Sequence, residues 1–104
     1  MLNVGTEFRK GILFVRIKGG LDDADYLNEI NNIINEFGIK CVVLNLSNIE
    51  CVSLENIAHI KKYNKEILKK KKYLLICDSN SRRNRLFKNI IPIICSELEA
   101  FSLI

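Results

Sequence analysis

For chemistry, this chain of 104 residues offers one histidine, four cysteines and a few acidic or hydroxyl residues at element boundaries. Nucleophilic hydrolysis needs a base beside its serine or cysteine. His59 falls inside a helical pattern and off its apolar stripe, where a surface position is the simpler reading. Cys41, Cys51, Cys77 and Cys95 are widely spaced, include no C-x-x-C pair and mostly lie within or at the ends of apolar runs. That pattern points to reduced, buried thiols, not a zinc site or a disulfide framework, and no metal site is expected. Neither G-x-G-x-x-G nor G-x-x-x-x-G-K-S/T occurs, so no nucleotide or other cofactor is implied. Asp22 and Asp23 stand at a strand-to-helix junction where an α/β ligand site can form, although capping the helix explains them more simply. No catalytic constellation emerges, and the chain reads as a non-enzyme.

The elements that must position these residues follow from periodicity. Ile12, Phe14 and Arg16 alternate with Leu13, Val15 and Ile17, which suits a strand buried on both sides, and Lys10-Gly11 makes it the second arm of a hairpin that includes Phe8. Gly19-Gly20-Leu21-Asp22 breaks the strand. Tyr26, Leu27, Ile30, Ile33, Ile34 and Phe37 form one helical stripe over about Asp23 to Phe37, with Gly38 as the stop. Cys41 to Leu46 reads as a central strand, followed by a loop from Ser47 to Val52. Ser53 is placed to cap a helix over about Leu54 to Lys70 whose inner stripe is Leu54, Ile57, Ile60, Tyr63 and Ile67. Tyr73 to Cys77 is another buried strand. Asp78-Ser79-Asn80-Ser81 leads into a short helix with Leu86, Phe87 and Ile90 as its apolar residues. Pro92 then precedes an edge strand at Ile93-Ile94-Cys95, and Ser96 to Phe101 forms a capped terminal helix.

The order β-β-α-β-α-β-α-β-α argues for one α/β domain over residues 1–104, with a mixed, mostly parallel sheet, an N-terminal antiparallel strand and about four covering helices. No apolar run approaches the roughly 20 residues of a membrane-spanning helix, and the N-terminus lacks a secretory layout, so a cytoplasmic protein without membrane insertion is expected. The net charge of +4 comes largely from Lys69 to Lys72 and from Arg82, Arg83, Arg85 and Lys88. These lack interleaved aromatics and read as a solvated helix end, so nucleic acid is not expected as a partner.

Several segments match one family in register. Val15-Arg16-Ile17-Lys18-Gly19-Gly20-Leu21-Asp22, Val42 to Ile49, Leu75 to Asn80 and Arg85-Leu86-Phe87 together resemble the STAS domain of bacterial anti-sigma-factor antagonists, SpoIIAA-like, over nearly the whole chain. The resemblance implies a protein-interaction module in transcription regulation, of the kind used in sporulation or stress responses, whose partner is an anti-sigma factor that is also a serine kinase, or another STAS-associated protein. It also implies a switch, because the family carries Asp-Ser-Ser-Gly with a phosphorylatable serine at the start of this helix. Here that junction reads Ser53-Leu54-Glu55-Asn56, with Glu55 at the phosphoacceptor position. Glu55 either imitates part of a phosphate's charge or serves only as a first-turn carboxylate. Ser53 is either the cap or a displaced phosphosite. The implied partner-binding residues are Asp22, Asn48, Ser53, Leu54, Glu55 and Asn56. A STAS-type scaffold subunit of a larger complex or transporter, and a small flavodoxin-like ligand-binding protein or enzyme, are the alternative readings.

Overall fold

In the computed structural model, residues 3–21 and 25–103 are described. Two strands open the chain, β1 (Asn3–Arg9) and β2 (Ile12–Leu21), antiparallel and joined through Lys10 and Gly11. Both turn residues have positive φ, 50° and 86°, the backbone that a two-residue hairpin requires. Then come α1 (Asp25–Phe37), β3 (Cys41–Val52), α2 (Leu54–Lys69), β4 (Tyr73–Cys77), α3 (Ser81–Asn84), β5 (Ile93–Ile94) and a terminal 3-10 helix (Glu97–Ser102). The strands lie in the order β1-β2-β3-β4-β5, and every pairing after the first is parallel. The mixed α/β sheet expected from the sequence is therefore present.

The period-2 alternation of the strands separates two cores. Leu13, Val15 and Ile17 of β2, Val42, Leu44 and Leu46 of β3, and Leu74 and Ile76 of β4 face the apolar stripes of α1 and α2, with Phe87 and Ile91 closing the layer. Ile12, Phe14, Cys41, Val43, Leu75 and Cys77 face the other way, where Ala100 and Phe101 of the 3-10 segment cover them. That thinner cover is pinned by polar contacts. Glu97 accepts from Arg16 Nε at 2.9 Å and Nη2 at 2.7 Å, and from Asn45 Nδ2 at 2.8 Å. The Arg16 bonds hold the Glu97 carboxyl below its ordinary range against the opposing effect of burial, with Asn45 adding to the shift.

Several expectations need correcting. The strand beginning at Cys41 does not end at Leu46, and the expected loop is its continuation. Lys18 pairs with Asn48, Gly19 with Ile49, Gly20 with Cys51 and Leu21 with Val52, across two register shifts that place extra residues on β3. α1 begins at Asp25, and Asp22 and Asp23 lie outside the described residues. Phe37 at the end of α1 and Leu54 at the start of α2 leave their stripes and stand exposed, as does Phe8 of β1. Helical geometry ends at Asn84; Leu86, Phe87 and Ile90 follow in turns, although Phe87 is fully buried. The terminal helix is of the 3-10 type, and Ser96 makes no side-chain capping bond there. Cys41 and Cys77 are buried, but Cys51, in the bulged end of β3, and Cys95, just after β5, are exposed.

Candidate functional site: the first turn of α2

The site begins with the change of backbone at Ser53. This residue is extended (φ −76°, ψ 153°), and its Oγ accepts from the Asn56 backbone N–H at 3.0 Å while its carbonyl accepts from Ile57 N–H at 3.1 Å. A serine cap thus satisfies a donor that the helix start leaves free, as the sequence led us to expect. The turn it opens has an outside and an inside. Leu54 is 78% exposed, and Glu55 is exposed beside it, with its carboxylate 3.7 Å from His59 Nε2 one turn on. Asn56 points inward. It is 1% exposed, and its Oδ1 accepts from the Tyr26 hydroxyl at 3.1 Å, which ties α2 to α1. Burial pushes the Tyr26 phenol well above its ordinary range, so it remains a neutral donor.

Of the residues marked as partner-binding, the structure brings Ser53, Leu54 and Glu55 together at one surface, and Asn48 is exposed on the strand that leads to them. Asn56 is buried instead and bonded to Tyr26 of α1. Asp22 lies outside the described residues.

Sequence reasoning missed the group that holds this end of β3. Asp78, at the end of β4, is fully buried and takes both Nε and Nη2 of Arg83. The same guanidinium donates from Nη2 to Leu46 O at 3.1 Å and from Nη1 to Ile49 O at 3.3 Å. One planar fork therefore joins a buried carboxylate to two carbonyls of the bulged strand. Asn80 and Asn84 complete the corner, the former donating its backbone N–H to Asp78 Oδ1 at 2.9 Å and the latter its Nδ2 to Asp78 O at 3.0 Å. In the sequence Arg83 is one member of a basic run. The usable signal was Asp78, an acidic residue directly after the uninterrupted apolar strand Leu74-Leu75-Ile76-Cys77.

Among the described residues, no group of three His, Cys, Asp or Glu side chains converges as a metal site would require, and no helix is long and apolar enough to cross a membrane.

No family model and no curated protein matches this chain. Solved structures do match. The anti-sigma factor antagonist SpoIIAA in its unphosphorylated form aligns with 97% of this chain and 96% of its own at a TM-score of 0.76 and 12% identity. An anti-sigma factor antagonist from Mycobacterium paratuberculosis aligns with 99% of this chain and 93% of its own at 0.75 and 16%. An uncharacterized protein with a SpoIIAA-like fold from Shewanella loihica aligns with 98% of this chain and 92% of its own at 0.57 and 16%. At these identities the likeness is one of fold, and it runs the length of the sheet and both large helices: the chain has the STAS-like fold seen in anti-sigma factor antagonists.

Proposed function

We propose that this protein is a non-enzymatic interaction module of the anti-sigma-factor antagonist type, acting in the cytoplasm on a protein partner of the anti-sigma kinase or another STAS-associated kind. The same reading takes residues 1–104 as one STAS-like domain. The observation that carries it is Leu54, a large apolar side chain exposed by 78% on a capped helical turn that Ser53, Asn56 and the Arg83 fork hold in place. An exposed leucine beside a carboxylate on rigid backbone suits a contact surface, because little ordering entropy is lost when a partner docks.

The phosphorylation switch is absent on this reading. Leu54 and Glu55, which stand where the resemblance places serines, have no hydroxyl, and Ser53 is occupied as the cap. Glu55 places a carboxylate at the helix N-terminus, where negative charge is electrostatically favoured, but with at most about half the charge of a phosphate.

The test pairs binding with modification. The wild type, Glu55→Ser and Leu54→Arg are incubated with an anti-sigma-type serine kinase and ATP, and the products mapped by mass spectrometry. Wild type is expected to bind without being modified, Glu55→Ser to accept phosphate, and Leu54→Arg to bind at least about 10-fold more weakly, the loss of about 1.4 kcal/mol. Phosphate on Ser53 of the wild type would refute the lost switch. Undiminished binding by Leu54→Arg would refute the surface.

A further inference from the structure

β5 pairs with only the last two residues of β4, Ile76 with Ile93 and Cys77 with Ile94. Among the described residues the first half of β4 therefore has no strand beyond it, and a cavity of about 530 Å3 opens there, lined by no residue of the first turn of α2. Its buried floor wraps the open edge of β4, with Leu74 on one side of the sheet, Cys41 and Leu75 on the other, and Asn64 contributed by α2. Leu68, Tyr73, Ile90 and Leu103 make an exposed apolar rim. Burial pushes the Cys41 thiol up to about 11, so the floor is uncharged.

Asn64 is the feature that gives this cavity a chemistry. It is the one charged or amide side chain among the lining residues and is 96% buried, yet its amide is only half used. Nδ2 donates to Ile90 O at 3.4 Å, whereas Oδ1 meets no hydrogen-bond donor among the described residues. An amide oxygen set among apolar side chains offers an acceptor to a ligand that can donate to it.

We infer that this cavity is a binding site for a small aliphatic alcohol, with its hydrocarbon body against Leu68, Leu74 and Leu103 and its hydroxyl donating to Asn64 Oδ1. The volume lies within the range of small-molecule sites, and an apolar wall with a single oriented polar group is their usual composition. The polarity of the amide selects the head group. Its N–H end is taken up by Ile90 O and its oxygen is left to accept, so a donor is favoured over a carboxylate. A ligand of the same length without the hydroxyl leaves the oxygen unpaired and desolvated, which is the arrangement that discriminates best.

The full chain is titrated with 1-octanol, methyl octyl ether and octanoate while backbone and methyl NMR signals are followed. Octanol is expected to move the signals of Leu74, Leu75 and Leu103 saturably and to bind about 3- to 10-fold more tightly than the ether, the value of one hydrogen bond. Octanoate binds more weakly than octanol. Asn64→Leu abolishes the preference for octanol over the ether while both still bind. Leu103→Trp, a change at an exposed rim position that leaves the core intact, blocks all three. Equal affinity for octanol and the ether in the wild type would overturn the inference. So would a preference that survives Asn64→Leu, shifts confined to other surfaces, or concentration-dependent self-association that masks the same residues.

Discussion

Removing the Arg83 fork should be the most damaging single change near the candidate site. In Arg83→Met the hydrocarbon stem is kept, but four acceptors each lose a donor: both carboxylate oxygens of Asp78, of which Oδ1 keeps the Asn80 N–H, and the carbonyls of Leu46 and Ile49. Asp78 is 0% exposed, so water cannot replace the lost partner without opening the corner. Breaking a buried pair from one side costs about 3–5 kcal/mol, because an uncompensated charge stays behind. A domain of this size has roughly 5–15 kcal/mol in total, so the variant should lose at least about a fifth of its stability. Urea unfolding followed by circular dichroism should show the midpoint falling with an unchanged slope. Asp78→Leu combined with Arg83→Met removes both charges and should recover part of the loss, and Arg83→Lys should fall between, since an ammonium cannot reach four acceptors in a fixed plane. Hydrogen exchange should locate the damage in Lys18–Leu21 and Asn48–Val52, the segments held by the bulged pairing. A loss below about 1 kcal/mol, or a double variant no better than Arg83→Met, would show that the pair does not hold this corner.

Three smaller predictions follow from other contacts. Ser53→Ala should cost about 1 kcal/mol by urea unfolding, as the Asn56 N–H loses its acceptor, and Ser53→Asp should cost less than half as much. The carboxyl of Glu97, held below its ordinary range, contributes stability that is complete above the unfolded-state value near 4.3 and lost as pH falls through the lower folded value. Unfolding midpoints measured from pH 6 to 3 should therefore fall more steeply for the wild type than for Glu97→Gln. Iodoacetamide should label Cys51 and Cys95 in the folded protein and all four cysteines in urea, read by intact mass; burial shields Cys41 and Cys77 and pushes both thiols up to about 11.

The fold was legible where periodicity met burial on the expected side. The alternation of Ile12 to Ile17, the stripes of α1 and α2, the apolar run at Tyr73 to Cys77 and the stops at Lys10-Gly11 and Gly38 each became the element they announce. What was misread lies where the pattern outruns its cover. Phe37 and Leu54 satisfy the helical period, but they sit at helix ends with no opposing layer. The bulges of β3 break alternation from Leu46 onward, so Ser47-Asn48 looks like a loop although it is hydrogen-bonded strand. Buried asparagines were invisible for a different reason. Asn56 and Asn64 occupy inward positions because each has a polar task there, the first with Tyr26 and the second beside Ile90, and a sequence records the amide but not its partner.

The exposed Leu54 joins these two kinds of residue into one account. Ser53 fixes where α2 starts, Asn56 bonds it to α1, and Arg83 fixes the strand that delivers it, so three polar side chains determine the position of a turn whose outward side chains they do not touch. Burial could have been gained by turning Leu54 inward, yet the turn is set so that Asn56 takes the inner position and the leucine faces solvent. A scaffold of that kind suits the surface proposed above, because a turn already held in shape loses little entropy on association. With no hydroxyl at Leu54 or Glu55, occupancy of the proposed surface would then be governed by the concentration and affinity of the partner, not by modification of the helix start.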